Sequence, residues 1–159
     1  MEDPGDGLRV RLSQPQHGWI ELKIETQGEE FEEAISSTPN DFLLELASAL
    51  SLALQGVAGV AVGSCEPTTY EFSFSPSTRH GLLHFQITKY PNLSRGQRSG
   101  SVVLSSHAPA LGIVIPFWRA LRNLEGEVEA AKYREAMRRD FPSAKLKRLS
   151  DLIANHRRQ

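Results

Sequence analysis

Residues 8–35 read LRVRLSQPQHGWIELKIETQGEEFEEAI, and their period decides the fold. Leu8, Val10 and Leu12 alternate with Arg9 and Arg11, and Ile20, Leu22 and Ile24 alternate with Glu21, Lys23 and Glu25. Successive side chains of a strand point to opposite faces, so a period of two marks strands with one face buried and the other in water. Pro15 and Gly18 between the two runs suit a hairpin loop, and Gln27-Gly28 suits a second tight turn. The third run, residues 29–35, offers only Phe31 and Ile35 to a core. It carries Glu29, Glu30, Glu32 and Glu33, so it is expected to be short or to lie at a sheet edge, where charge discourages unwanted pairing.

Moving outward, Ser36, Ser37 and Thr38 offer N-caps, Pro39 fits the first helical position, and Asp41 fits the first turn, where the helix dipole favours an acid. Phe42, Leu43, Leu46, Ala49, Leu50, Ala53 and Leu54 form a wide apolar stripe at helical spacing, closed by Gly56. This is expected to be the central core helix. Strands are predicted over residues 60–65, 70–75, 83–87 and 102–106, with a turn over 76–80. Residues 90–100 hold Pro91, Asn92, Gly96, Gly100, Arg95 and Arg98 without periodicity and are expected to form a mobile loop. Beyond Pro109 the period becomes helical: residues 110–124, with Pro116 kinking or starting the helix, then 128–139 after Gly126, then 143–156 after Asp140-Phe141-Pro142. Strands first and helices last predict a single α+β domain over residues 8–156. It would have a largely antiparallel sheet of six or seven short strands, one inserted core helix and C-terminal helices. Residues 1–7 are expected to be a flexible N-terminus. No repeat of 20–50 residues is visible.

The composition suits one globular domain: 159 residues, 40% hydrophobic and 23% charged. One cysteine excludes an intramolecular disulfide framework. The longest apolar stretch, residues 42–62, is interrupted by Glu45, Ser48, Ser51 and Gln55 and makes a poor membrane span. The acidic, Gly/Pro-rich first residues are the opposite of a secretion signal, and a cytoplasmic location is expected. A net charge of −1 conceals a division. Residues 1–75 hold 13 acids and three bases; residues 76–159 hold six acids and 15 bases. Either the two halves screen each other within one fold, or they form two faces of opposite sign, one meeting a charged partner.

Reactive constellations fail on spacing, order or missing partners. His80 and His84 have a helical metal spacing but fall on a strand, where at about 3.3 Å per residue they stand about 13 Å apart. Cys65 reads as a small buried hydrophobe unless a base approaches it. Gly56, Gly59 and Gly63 lie between a helix and a strand, the reverse of a phosphate cradle. Residues 96–100, GQRSG, put serine at the wrong place for a nucleophile elbow. No enzyme, metal or cofactor is expected. Residues 132–159 carry nine bases against three acids, interleaved with core leucines and without an aromatic platform, so a solvent-facing helix is expected rather than nucleic-acid contact. Trp19 and Phe141 are expected as core anchors.

Gly18-Trp19 leading a strand, Phe42-Leu43-Leu44, Glu66-Pro67-x-x-Tyr70, and Tyr133 followed by Phe141-Pro142-x-x-x-Leu146-x-x-Leu149 occur in an order that resembles a family of small uncharacterised bacterial proteins. Some of its members look like immunity proteins of toxin systems. The resemblance implies a protein that acts by binding another protein. A cationic toxin would need acidic groups, and the dense set is Glu29, Glu30, Glu32 and Glu33 with Glu21 and Glu25 on the adjoining strand. Arg95 and Arg98 form a second candidate surface, suited to an acidic partner. The alternative is a regulatory or structural module whose basic C-terminal helices hold protein or RNA. No membrane partner is expected.

Overall fold

The alternating runs fold as the first strands of a seven-stranded antiparallel sheet. The computed structural model describes residues 7–77, 81–92 and 100–159. β1 (Arg9–Leu12), β2 (Trp19–Thr26) and β3 (Glu29–Ser36) precede α1 (Phe42–Leu54). β4 (Gly59–Ser64), β5 (Thr69–Pro76), β6 (Leu82–Tyr90) and β7 (Ser101–Pro109) follow, and α2 (Ala110–Glu127), α3 (Ala130–Met137) and α4 (Ser143–Arg157) complete the chain. Strand order equals chain order, so every pairing joins neighbours in sequence, the commonest solution for short connections. The α+β architecture is the predicted one.

Register turns the alternation into a core. Ile20 faces Ile35, Ile24 faces Phe31, Phe72 faces Ile87, and Ile87 faces Leu104, and all are buried. Helices complete it. Phe42 of α1 lies 4.9 Å from Phe72, ring centre to ring centre, and Phe117 of α2 meets Phe74 and Phe85 edge-on at 5.4 and 5.1 Å. Each such ring removes about 150–250 Å² from water. The sheet is curled. Phe31 of β3 crosses onto β5, 4.9 Å from Tyr70 and 5.6 Å from Phe72, and α2 packs against both β1 and β7, the two ends of the strand order.

The curl opens a seam. β3 pairs with β4 at one position, Ser36 with Ser64, and α1 stands in the gap. Its Glu45 carboxylate accepts the Val62 N–H of β4 at 2.8 Å and the Asn40 side-chain amide at 2.9 Å. β4 approaches so closely that a Cβ at Gly59 would lie 2.6 Å from the Ala49 main chain, which is why glycine stands there.

Several expectations are corrected. β3 is neither short nor terminal in the sheet: all eight of its residues pair with β2, although on its other side it pairs with β4 only at Ser36. Pro39 does not begin α1. It follows a cis Thr38–Pro39 peptide, and Asp41 caps the helix by accepting the Leu44 N–H at 3.3 Å, because the Asp carboxylate reaches the third amide from the cap position. Gly56 does close the helix, at φ 81°. Gly126 does not interrupt α2, which also runs through Pro116 at the loss of the bond its N–H would make to Gly112. The α2 stripe is carried by Ile113, Val114, Phe117, Ala120, Leu121 and Leu124, with Trp118 only half-buried. Trp19 is not a core anchor: Ile20 takes the inward place, so period two turns Trp19 outward. Phe141 is half-buried, edge-on to buried Tyr133 at 5.2 Å. The expected loop over 90–100 falls largely on residues 93–99, outside the described residues.

Candidate interaction surfaces

Period two also divides the glutamates. Glu21, Lys23 and Glu25 of β2 share the outward side with Glu30 and Glu32 of β3, since Lys23 is opposite Glu32 and Glu25 opposite Glu30. Arg9 of β1, opposite Glu25, extends the row. Lys23 Nζ lies 3.6 Å from Glu25 and 3.5 Å from Glu30, and Arg9 Nε lies 3.6 Å from Glu25. Glu25 first, then Glu30 and Glu32, hold the Lys23 ammonium above its ordinary range. Exposed pairs of this kind add little stability; their effect is to order an outward charged face. Trp19 lies at its end, on the same side as Glu21 by alternation.

Glu29 and Glu33 belong to the opposite side of β3 and are not part of that face. Glu29 Oε1 accepts the Ser105 N–H of β7 at 3.2 Å. Glu33 accepts the Tyr70 hydroxyl at 3.2 Å. The expected four-carboxylate cluster is therefore split between three surroundings.

At the seam, Glu66 has φ 45° and precedes a cis proline. Its Oε2 accepts the hydroxyls of Ser36 at 3.1 Å and Thr38 at 3.5 Å, and the Ser64 hydroxyl accepts its N–H at 3.3 Å. Arg139 closes the other side, donating from Nε to the Ser37 carbonyl at 2.6 Å and from its terminal amino group to that of Pro39 at 3.1 Å. Hydroxyls bonded to a carboxylate satisfy buried polar groups, and the sequence signal for this knot was Glu66-Pro67 with Ser36-Ser37-Thr38. Beside it, burial first and Glu33 second push the Cys65 thiol up to about 12, and burial likewise pushes the Tyr70 phenol up to about 12. Both are protonated at neutral pH, unlike a nucleophilic thiolate.

His80 lies outside the described residues, and His84 stands on β6. It stacks on His107, its opposite on β7, with ring centres 4.0 Å apart. Among the described residues no group of three or more His, Cys, Asp or Glu is placed to hold a metal ion. Arg95 and Arg98 also lie outside the described residues. On α3 and α4, Lys132, Arg134, Lys145, Lys147 and Arg148 are exposed while Tyr133, Leu146 and Leu149 are buried. Arg134–Asp140 at 2.7 Å and Lys147–Asp151 at 3.9 Å are local pairs, as are those of β1–β3, whereas Arg139 reaches across to the Ser37 and Pro39 carbonyls. No helix of the described residues is long and apolar enough to cross a membrane.

Comparison with protein families, curated proteins and solved structures returns no match.

Proposed function

We propose that the chain is a non-enzymatic protein-binding module, acting as a toxin-neutralising immunity protein that meets a cationic protein through the outward face of β2 and β3. The observation that carries this reading is the placement of Glu21, Glu25, Glu30 and Glu32 on one side of the sheet, where they outnumber Lys23, Arg9 and Arg11 and are ordered by the first two. An ordered acidic face raises encounter rates with a basic partner and costs little side-chain entropy on binding. Half-buried Trp19, on the same side, has the chemistry of an interface anchor. The protonated Cys65 and Tyr70 support binding over catalysis, and the resemblance of the sequence landmarks to immunity proteins points the same way. Neither metal nor cofactor enters this function.

The test is capture of the partner from the native host, followed by association kinetics with that partner. The double variant Glu30→Lys, Glu32→Lys is expected to associate about tenfold more slowly at low ionic strength, with the difference shrinking at high salt. Equal rates at both ionic strengths would remove this face from the function. Retention of polyanions by α3 and α4 would favour the basic helices instead.

A further inference from the structure

We propose that the hollow between the β1–β2 turn and the end of α3 binds a sugar phosphate, its phosphate held by Arg138, Lys132 and His17. This goes beyond the protein-binding reading above and does not rest on it.

The hollow measures about 790 Å³, a size common among small-molecule sites. One wall is the turn around His17 and Gly18, and the other is the last turn of α3 with Arg138. Main chain joins the walls: the Ala136 carbonyl accepts the Gly18 N–H at 2.7 Å. That bond occupies a carbonyl at the negative end of the α3 dipole, so less of this end opposes an anion. Three basic side chains line the hollow, His17, Lys132 and Arg138, against one acid, Glu135. The neighbouring Arg134 and Arg139 are already engaged, by Asp140 and by the Ser37 and Pro39 carbonyls. Among the described residues no side-chain hydrogen bond or ion pair engages His17, Lys132 or Arg138.

Two of the three basic residues stand where the backbone favours glycine. Among the described residues, three that are not glycine have positive φ: Glu66, whose carboxylate gathers the seam hydroxyls, His17 at 52° and Arg138 at 59°. His17 precedes Gly18, at φ 86°, in a turn closed by the Trp19 N–H on the Gln16 carbonyl at 2.9 Å. A turn with both central φ positive favours Asn-Gly. Arg138 ends α3 in the left-handed conformation that glycine ordinarily supplies. A residue with a Cβ is strained at both places, and both line the same hollow. Strain kept at a cavity is a mark of function.

The side chains define the ligand. Arg138 offers the paired donors that fit two oxygens of a phosphate, Lys132 adds a mobile point charge, and a His17 ring N–H adds a further donor. Glu135 would repel a bare anion. It lies one helical turn from Lys132, and its carboxylate accepts a hydroxyl, as the Gln16 amide oxygen does. A sugar phosphate supplies both parts, an anion for the bases and hydroxyls for Glu135 and Gln16.

The test is amide-resolved NMR of the full chain in phosphate-free buffer of low ionic strength, titrated separately with ribose 5-phosphate, inorganic phosphate and ribose. Ribose 5-phosphate is expected to shift the His17, Gly18 and Arg138 amides saturably, with inorganic phosphate about tenfold weaker and ribose without effect. Arg138→Gly and His17→Gly should each raise the thermal midpoint, by about 2 °C. Arg138→Gly should nevertheless weaken ribose 5-phosphate about tenfold or more, and Lys132→Gln should weaken it without the gain in stability. Glu135→Gln should bring ribose 5-phosphate and inorganic phosphate closer in affinity. Glu30→Lys, Glu32→Lys should leave the titration unchanged, so failure of the acidic face to bind a protein would leave this site standing. No saturable change up to about 10 mM ribose 5-phosphate overturns the proposal. Unchanged affinity in Arg138→Gly overturns it too, as does equal affinity for ribose or for inorganic phosphate.

Discussion

The Glu45 carboxylate of α1 accepts the Val62 N–H of β4 at 2.8 Å, doing for β4 what β3 does not do along most of its length. A helix side chain thereby bridges a seam in a sheet. Glu45→Ala is expected to lower stability by about 1–3 kcal/mol, the cost of leaving a buried donor unpaired, whereas Glu45→Gln keeps an acceptor and should lose less. Urea unfolding measures the loss, and hydrogen exchange at Val62 locates it. Unchanged protection of Val62 in Glu45→Ala would show that the seam is held by other contacts.

The aromatic core makes a second contrast. Phe72 is fully buried between Phe31, Phe42 and Phe85, so Phe72→Ala should cost about 3–5 kcal/mol. Trp19 is larger but faces outward, and Trp19→Ala should cost about 1 kcal/mol or less while weakening partner binding. Equal losses of stability would place Trp19 in the core after all.

Stability should depend on pH through His84. Its own burial first, and His107 second, hold it below its ordinary value of 6.5. A histidine depressed in the folded state contributes stability that is present above pH 6.5 and is lost as pH falls through the folded-state value. The thermal midpoint should therefore decline between about pH 7 and pH 5, and His84→Gln should remove part of that decline. His107→Gln should remove less, since it abolishes only the smaller cause. Identical acid profiles for wild type and His84→Gln would contradict this.

Alkaline pH has the opposite sign for Cys65. Its thiol is raised from 9.0 to about 12, so its contribution is fully present below pH 9 and is lost as pH rises toward the folded-state value. Iodoacetamide should label the folded chain at neutral pH more slowly than free cysteine, and Glu33→Gln should speed labelling by removing the second cause of the shift. Rapid, saturable labelling of wild type would revive a nucleophilic role.

Local chemistry made much of the fold legible. The runs on β1 and β2 show their faces because side-chain direction in a strand repeats every two residues. The stripe from Phe42 to Ala53 shows a buried helix because it repeats every three to four. Pro39 misled because its fit to the first turn is a local preference, and the chain bends there before Asp41 takes the cap. Pro116 does not start the helix: α2 begins at Ala110 and runs through it, with Phe117 beside it buried.

The candidate site was less legible. Four glutamates in one short run look like one cluster, yet strand alternation sends Glu30 and Glu32 to the outward face and Glu29 and Glu33 to the other. Alternation alone could have made that division; the partners could not have been read.

By itself, the sequence determined the class of fold, the inward faces of β1, β2 and α1 and the separation of acidic from basic segments. All three depend on residues within a few positions of one another. Only the tertiary structure decided that Glu45 closes the seam, that Glu66 is gathered in by Ser36, and that Glu29 meets Ser105. Ser36 and Glu66 are 30 positions apart, and Glu29 and Ser105 are 76 apart. Contacts of that span depend on how the sheet curls and on the register of every strand between, a geometry set by packing the whole core at once rather than by any local run of residues.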